Sequence, residues 1–133
     1  MDEIIIPEEI HQIILRHVQI NFPEEACGIL AGIGNRVTQA FLITNRLHSP
    51  VKFYMEPVEL LRALEKIENQ NLDLVAIFHS HPDGPDTPST TDIKEFLYPG
   101  VATLICYLDK EIWKIKSFMI EKNHFHEINL LIK

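Results

Sequence analysis

Hydrophobic residues recur along this chain at two spacings, one helical and one extended. Between Pro7 and Ile20 the apolar positions Ile10, Ile13, Ile14 and Val18 repeat every three to four residues, with Pro7 suited to a first turn and Glu8 and Glu9 just behind it. This predicts an amphipathic helix. From Pro57, the positions Val58, Leu61, Leu64 and Ile67 predict a second, ending near Asn69-Gln70-Asn71. Ser89 opens a short third helix over STTDIKEFL.

The other spacing belongs to strands. CGILAGIG and RVTQAFLIT, joined through Asn35, read as a hairpin, and residues 45 to 52 as a polar loop. LDLVAIF, residues 72 to 78, is an unbroken apolar run, the pattern of a central strand covered on both faces. VATLICYL, IWKIKSFMI and FHEINLLI supply three more strands. The expected order is α-β-β-α-β-α-β-β-β. Strands that alternate with helices early and run together late predict an α/β fold, a mixed β-sheet flanked by helices. With 133 residues, 46% apolar content and no internal repeat, one domain over residues 1–133 is expected.

Charge and the chain start narrow the setting. Twelve Lys and Arg against nineteen Asp and Glu leave a net charge of −7, so nucleic acid is not an expected partner. MDEIIIPEEI has neither a basic leader nor a long apolar core, and no apolar run reaches the roughly 20 residues of a membrane span. Cys27 and Cys106 lie in apolar runs, as buried thiols rather than disulfide halves. A cytoplasmic location is expected.

Candidate chemistry concentrates in HSHPDGPDTPSTTD, residues 79 to 92. His79 and His81 follow the buried strand two residues apart, so both side chains fall on one face. The proline-rich segment 82–88 is stiff, and Asp92 comes one loop later, in the first turn of a helix. Two imidazoles, a carboxylate and a fourth position left for water match a catalytic zinc site. Separately, Ser89 and Asp92 also read as a capping box, and His-Ser-His as a pair of hydrogen-bonded loop residues; neither explains the whole pattern. His17, on the first helix's apolar stripe, His48 in a loop, and His124 and His126 in the last strand have no such context and are assigned no chemistry.

The run resembles the JAMM (MPN+) metalloprotease signature in full: His-Ser-His, seven residues, Ser, two residues, Asp. EACGIL, residues 25 to 30, is similar to the family's upstream glutamate element, and NRLHSPVKFYMEPVELLRAL extends the likeness over residues 22 to 108. The resemblance implies a small prokaryotic-type member with a three-layer, cytidine-deaminase-like arrangement. It implies one Zn2+ per chain on His79, His81 and Asp92, Glu25 activating the metal's water, and Ser89 stabilising the oxyanion. Residue logic alone leaves Glu24 and Glu25 equivalent; the family register selects Glu25. Cys27 then stands at a packing position.

The implied substrate is a ubiquitin-like or sulfur-carrier protein, cleaved after its C-terminal glycines. An extended tail is expected to pair with an exposed sheet edge, with the 82–88 loop as one wall of its groove. Only nine residues separate Asp92 from the strand at Ala102, which leaves no room for linkage-selecting insertions. The alternatives are a non-catalytic MPN-type scaffold, and a JAMM peptidase acting on unrelated peptides, as in phage-tail or DNA-repair branches.

Overall fold

The structure, a computed structural model, describes residues 1–133. Its elements are β1 (Glu3–Ile6), α1 (Glu8–Asn21), β2 (Cys27–Ile33), β3 (Arg36–Ile43), α2 (Pro57–Asn69), β4 (Asp73–His81), α3 (Thr90–Lys94), β5 (Ala102–Asp109), β6 (Ile112–Glu121) and β7 (His124–Ile132). The strands run β1-β3-β2-β4-β5-β6-β7, and β1 also pairs in parallel with β7, closing the sheet on itself. Parallel and antiparallel pairs coexist, so the sheet is mixed with flanking helices, as the patterning predicts.

The first strand is the element that patterning missed. Ile4, Ile5 and Ile6 are all buried, and Ile4 to Ile6 pair with Leu130 to Ile132 of β7. Three apolar residues carry no readable period, and only a partner from the far end of the chain makes them a strand.

Helix α1 forms as expected, with Ile10, Ile14 and Val18 buried and Asp/Glu residues in its first turn, where they complement the helix dipole. For α2 the buried face is rotated from the predicted one. Ala63 and Ile67 are buried, while Val58 and Leu61 are 53% and 57% exposed. Glu56 caps this helix by accepting from the Glu59 N–H at 2.8 Å.

Two apolar clusters cover the two faces of the sheet. The larger joins Ile10, Ile14 and Val18 of α1 to Leu30, Phe78, Leu104 and Cys106. The smaller joins Ala63 and Ile67 of α2 to Ile29, Ile43 and Ile77. Phe78 and Ile77 therefore point to opposite faces, and the alternation continues to His79 and His81. Gly28 makes the close approach of β2 and β4 possible, because a Cβ there would collide with the Phe78 ring and the Phe41 carbonyl.

Two boundaries differ from expectation, and both matter for the site. Strand β4 extends through His81, so both histidines lie within the sheet, with His79 opposite Cys27 on one side and Ile105 on the other. β4 has no free edge, and a substrate tail cannot pair with it. Helix α3 spans five residues, so Phe96, Leu97 and Tyr98 leave it as irregular chain.

Candidate metal centre

The two-residue period of β4 aims His79 and His81 at the same point. Their Nε2 atoms are 3.1 Å apart, and Asp92 Oδ2 lies 3.1 Å from each. Asp92 reaches that point because a capping box fixes its turn. Ser89 Oγ accepts from the Asp92 N–H at 3.0 Å, and the Ser89 N–H donates to Asp92 Oδ2 at 2.8 Å. The capping and metal-site readings of this segment thus coexist: the cap is what holds the carboxylate against the imidazoles.

The cluster fits a metal ion. His81 Nδ1 donates to the Pro85 carbonyl at 2.7 Å, which fixes a tautomer whose Nε2 carries a free lone pair when the ring is neutral. Three electron-rich atoms then face one another with little but a shared proton to relieve their repulsion. A tetrahedral zinc with bonds of about 2.0–2.1 Å spaces its ligand atoms by about 3.3 Å, close to the 3.1 Å found here. His79, His81 and Asp92 are the group of side chains able to hold an ion together.

Burial sets the electrostatics. It pulls the His79 imidazole below its ordinary pKa, with Asp92 opposing. For His81 burial also pulls down, but hydrogen bonds to Asp92 and the Pro85 carbonyl outweigh it and leave the group raised. Burial would raise Asp92, yet the two imidazoles hold its carboxyl well below the usual carboxylate range.

Glu25 lies in the loop before β2 with only 5% of its surface exposed. Its backbone is clamped at both ends: the N–H donates to Ser49 O at 2.8 Å, and the carbonyl accepts from Asn45 Nδ2 at 3.0 Å. Burial pushes its carboxyl up to about 8, with His81 pulling it down and Asp92 adding to the rise. Glu24 turns the other way, to a surface contact with His48 Nδ1 at 3.1 Å. The geometry separates two acids that spacing left equivalent.

Three supporting residues escaped sequence reasoning. Ser80, between the histidines, points to the opposite face, where its Oγ accepts from the Ala26 N–H at 2.8 Å and ties the Glu25 loop to β4. Asn45 is buried, and its side chain also bonds Lys52 O, Leu47 N and Tyr54 N, organising the loop that follows β3. Phe53 stacks on His79 with ring centroids 4.4 Å apart and planes 26° from parallel. Ser80 was signalled only by its place inside His-Ser-His, and Asn45 and Phe53 only by their place in the family-like stretch NRLHSPVKFYMEPVELLRAL.

An apolar groove of about 690 Å³ adjoins the cluster, lined by His79 and Asp92 together with Phe53, Leu60, Leu64, Phe96 and Tyr98. The remaining singled-out residues stand apart. Cys27 is buried, its thiol is pushed up to about 12 by burial, and Sγ donates to Ile43 O. His17 Nε2 donates to Cys27 O at 3.0 Å on the opposite face, and His124 and His126 are exposed on β7. No helix is long and apolar enough to cross a membrane.

A mixed sheet flanked by helices, with a His-His-Asp cluster at the carboxyl end of a central strand, defines an α/β domain built around a candidate metal centre. The chain belongs to the prokaryotic branch of the JAMM/MPN family: residues 7–120 match the family described as prokaryotic homologs of the JAB domain. It is 39% identical over 131 residues to a protein named desampylase from Pyrococcus furiosus, covering 98% of this chain and 91% of that one. Over 80 residues, 59% of this chain and 53% of the other, it is 41% identical to a Thermus thermophilus protein named "Probable TtuB-protein conjugate cleaving protease". A solution structure of a Desulfitobacterium hafniense protein superposes with a TM-score of 0.86 at 30% identity, covering 98% of this chain and 92% of that one.

Proposed function

We propose that this chain is a zinc-dependent isopeptidase, a single catalytic domain over residues 1–133 that hydrolyses the bond after the C-terminal glycines of a ubiquitin-like or sulfur-carrier protein. The observation that carries the reading is the convergence of His79 Nε2, His81 Nε2 and Asp92 Oδ2 at 3.1 Å, with Glu25 buried in the loop before β2. Two imidazoles and one carboxylate favour zinc over calcium or magnesium. Relatives named for cleaving protein conjugates support the substrate class. Free, buried Cys27 and Cys106 fit the reducing cytoplasm.

His79, His81 and Asp92 would hold the metal, which when bound would supply Lewis acidity and make water a better proton donor, from a pKa of about 15.7 toward about 7. Glu25 takes a proton from the attacking water at its carboxylate and returns one to the departing amine. Burial raises this carboxyl in the metal-free protein, and a bound dication would lower it again, leaving the carboxylate that takes the proton and later gives it up. Ser89 Oγ accepts the Asp92 N–H, so its own proton remains free to donate to the scissile carbonyl oxygen as charge develops there. With β4 paired on both sides, the tail reaches the site along the apolar groove. Glycines suit the last positions because the backbone must approach the cluster closely.

A fusion of each candidate carrier to a reporter through its own C-terminal glycines tests this. Wild type is expected to release the reporter and Glu25→Gln to be nearly inactive with zinc retained. Changing the carrier's last glycine to valine should slow release sharply. Efficient hydrolysis of unrelated short peptides, with every such fusion left intact, would refute the substrate assignment.

A further inference from the structure

The two imidazoles of the cluster are held by unlike means. His81 is keyed by a hydrogen bond from Nδ1 to the Pro85 carbonyl. His79 is 2% exposed, and its Nδ1 is buried with no hydrogen-bond partner. A ligand imidazole ordinarily has its plane and tautomer fixed by donating its second N–H to an oxygen. Without that bond, rotation about the terminal torsion of the side chain is restrained only by packing, and the torsion's energy well is broad. What lies flat against the ring is Phe53, at 4.4 Å and 26°.

We infer that Phe53 is a positioning residue for His79: its ring face fixes the imidazole plane and so the direction of the Nε2 lone pair. The inference rests on the reading of His79 as a metal ligand. Phe53 can serve in this way because the backbone on both sides of it is anchored. Asn45 Nδ2 donates to Lys52 O at 3.0 Å, Asn45 Oδ1 accepts from the Tyr54 N–H at 3.1 Å, and the Arg46 N–H donates to Tyr54 O at 2.9 Å. The same Asn45 amide group holds the Glu25 carbonyl. One buried side chain therefore supports both the ring that orients a ligand and the backbone of the proposed base.

The test is zinc affinity of the full chain by competition with a chromophoric chelator, with no substrate present. Phe53→Leu keeps apolar bulk but removes the flat face, and is expected to weaken zinc binding about three- to tenfold, the range of an aromatic stacked pair. Phe53→Tyr restores the face and should bind within about twofold of wild type, as should Val51→Ala at an exposed position nearby. In metal-free protein, the upfield ring-current shift on the His79 ring protons should vanish in Phe53→Leu and persist in Phe53→Tyr. Equal zinc affinity of wild type and Phe53→Leu, or equal weakening in Phe53→Leu and Phe53→Tyr, overturns the inference and leaves the proposed function standing. Wild type that binds no zinc overturns both.

Discussion

The two faces of the sheet use the same strands for opposite ends. Toward α1, the side chains of Leu30, Phe78, Leu104 and Cys106 pack in one buried cluster with Ile10, Ile14 and Val18. Two polar groups that intrude there are hydrogen-bonded: His17 donates to Cys27 O, and Ser80 accepts from Ala26 N. Toward α2, the apolar cluster shrinks to six buried residues and the groove opens beside the His-His-Asp cluster. In β4 the residues 76, 78 and 80 serve the closed face while 77, 79 and 81 serve the open one. The open face thus takes its rigidity from the packed face behind it.

The contrast is most sharply tested at its extremes. Alanine at His79, His81 or Asp92 is expected to remove zinc and abolish hydrolysis while leaving the fold intact, because the closed face is untouched; elemental analysis and circular dichroism check this. A variant that unfolds instead would show that the open face carries stability as well. Replacing His124 and His126 together should leave the metal content unchanged.

Phe78→Ala, on the closed face, should cost about 3–5 kcal/mol in denaturant unfolding, since it vacates a fully buried aromatic site. Leu61→Ala, half-exposed beside the groove, should stay within about 0.5 kcal/mol. Comparable losses at the two positions would erase the distinction between the faces.

Ser80 joins them. Ser80→Ala leaves the Ala26 N–H without its acceptor and should cost about 1–3 kcal/mol. It should also lower kcat, by loosening the loop that carries Glu25, without changing zinc content. Ser80→Thr, which keeps the hydroxyl, should recover most of the lost rate.

A separate test is one of pH. Glu25 in the folded, metal-free protein has its carboxyl pushed to about 8 from an ordinary 4.5, so the native state holds a proton that the unfolded chain has lost. Its contribution to stability is present below about pH 4.5 and disappears as pH rises toward 8. Unfolding of metal-free wild type and Glu25→Gln at pH 5 and pH 8 should therefore show wild type losing ground relative to the variant at the higher pH. Parallel behaviour of the two would place the Glu25 carboxylate in contact with solvent.

Much of this was written in local pattern. The period of Ile10, Ile14 and Val18, the unbroken run into His79, and the Ser89–Asp92 cap are consequences of neighbours a few residues apart, where backbone geometry alone dictates which side chains share a face. Hence six of the seven strands, the three helices and the candidate His-His-Asp set were legible before any contact was known. β1, the rotation of α2, the inward turn of Glu25 and the supports at Phe53, Ser80 and Asn45 were not. Each depends on a partner distant in sequence: β7 for the isoleucines, Ala26 for Ser80, the 52–54 backbone for Asn45, and His79 for Phe53. Two adjacent acids such as Glu24 and Glu25 look alike to the chain; tertiary structure tells them apart by sending one to His48 and solvent and burying the other.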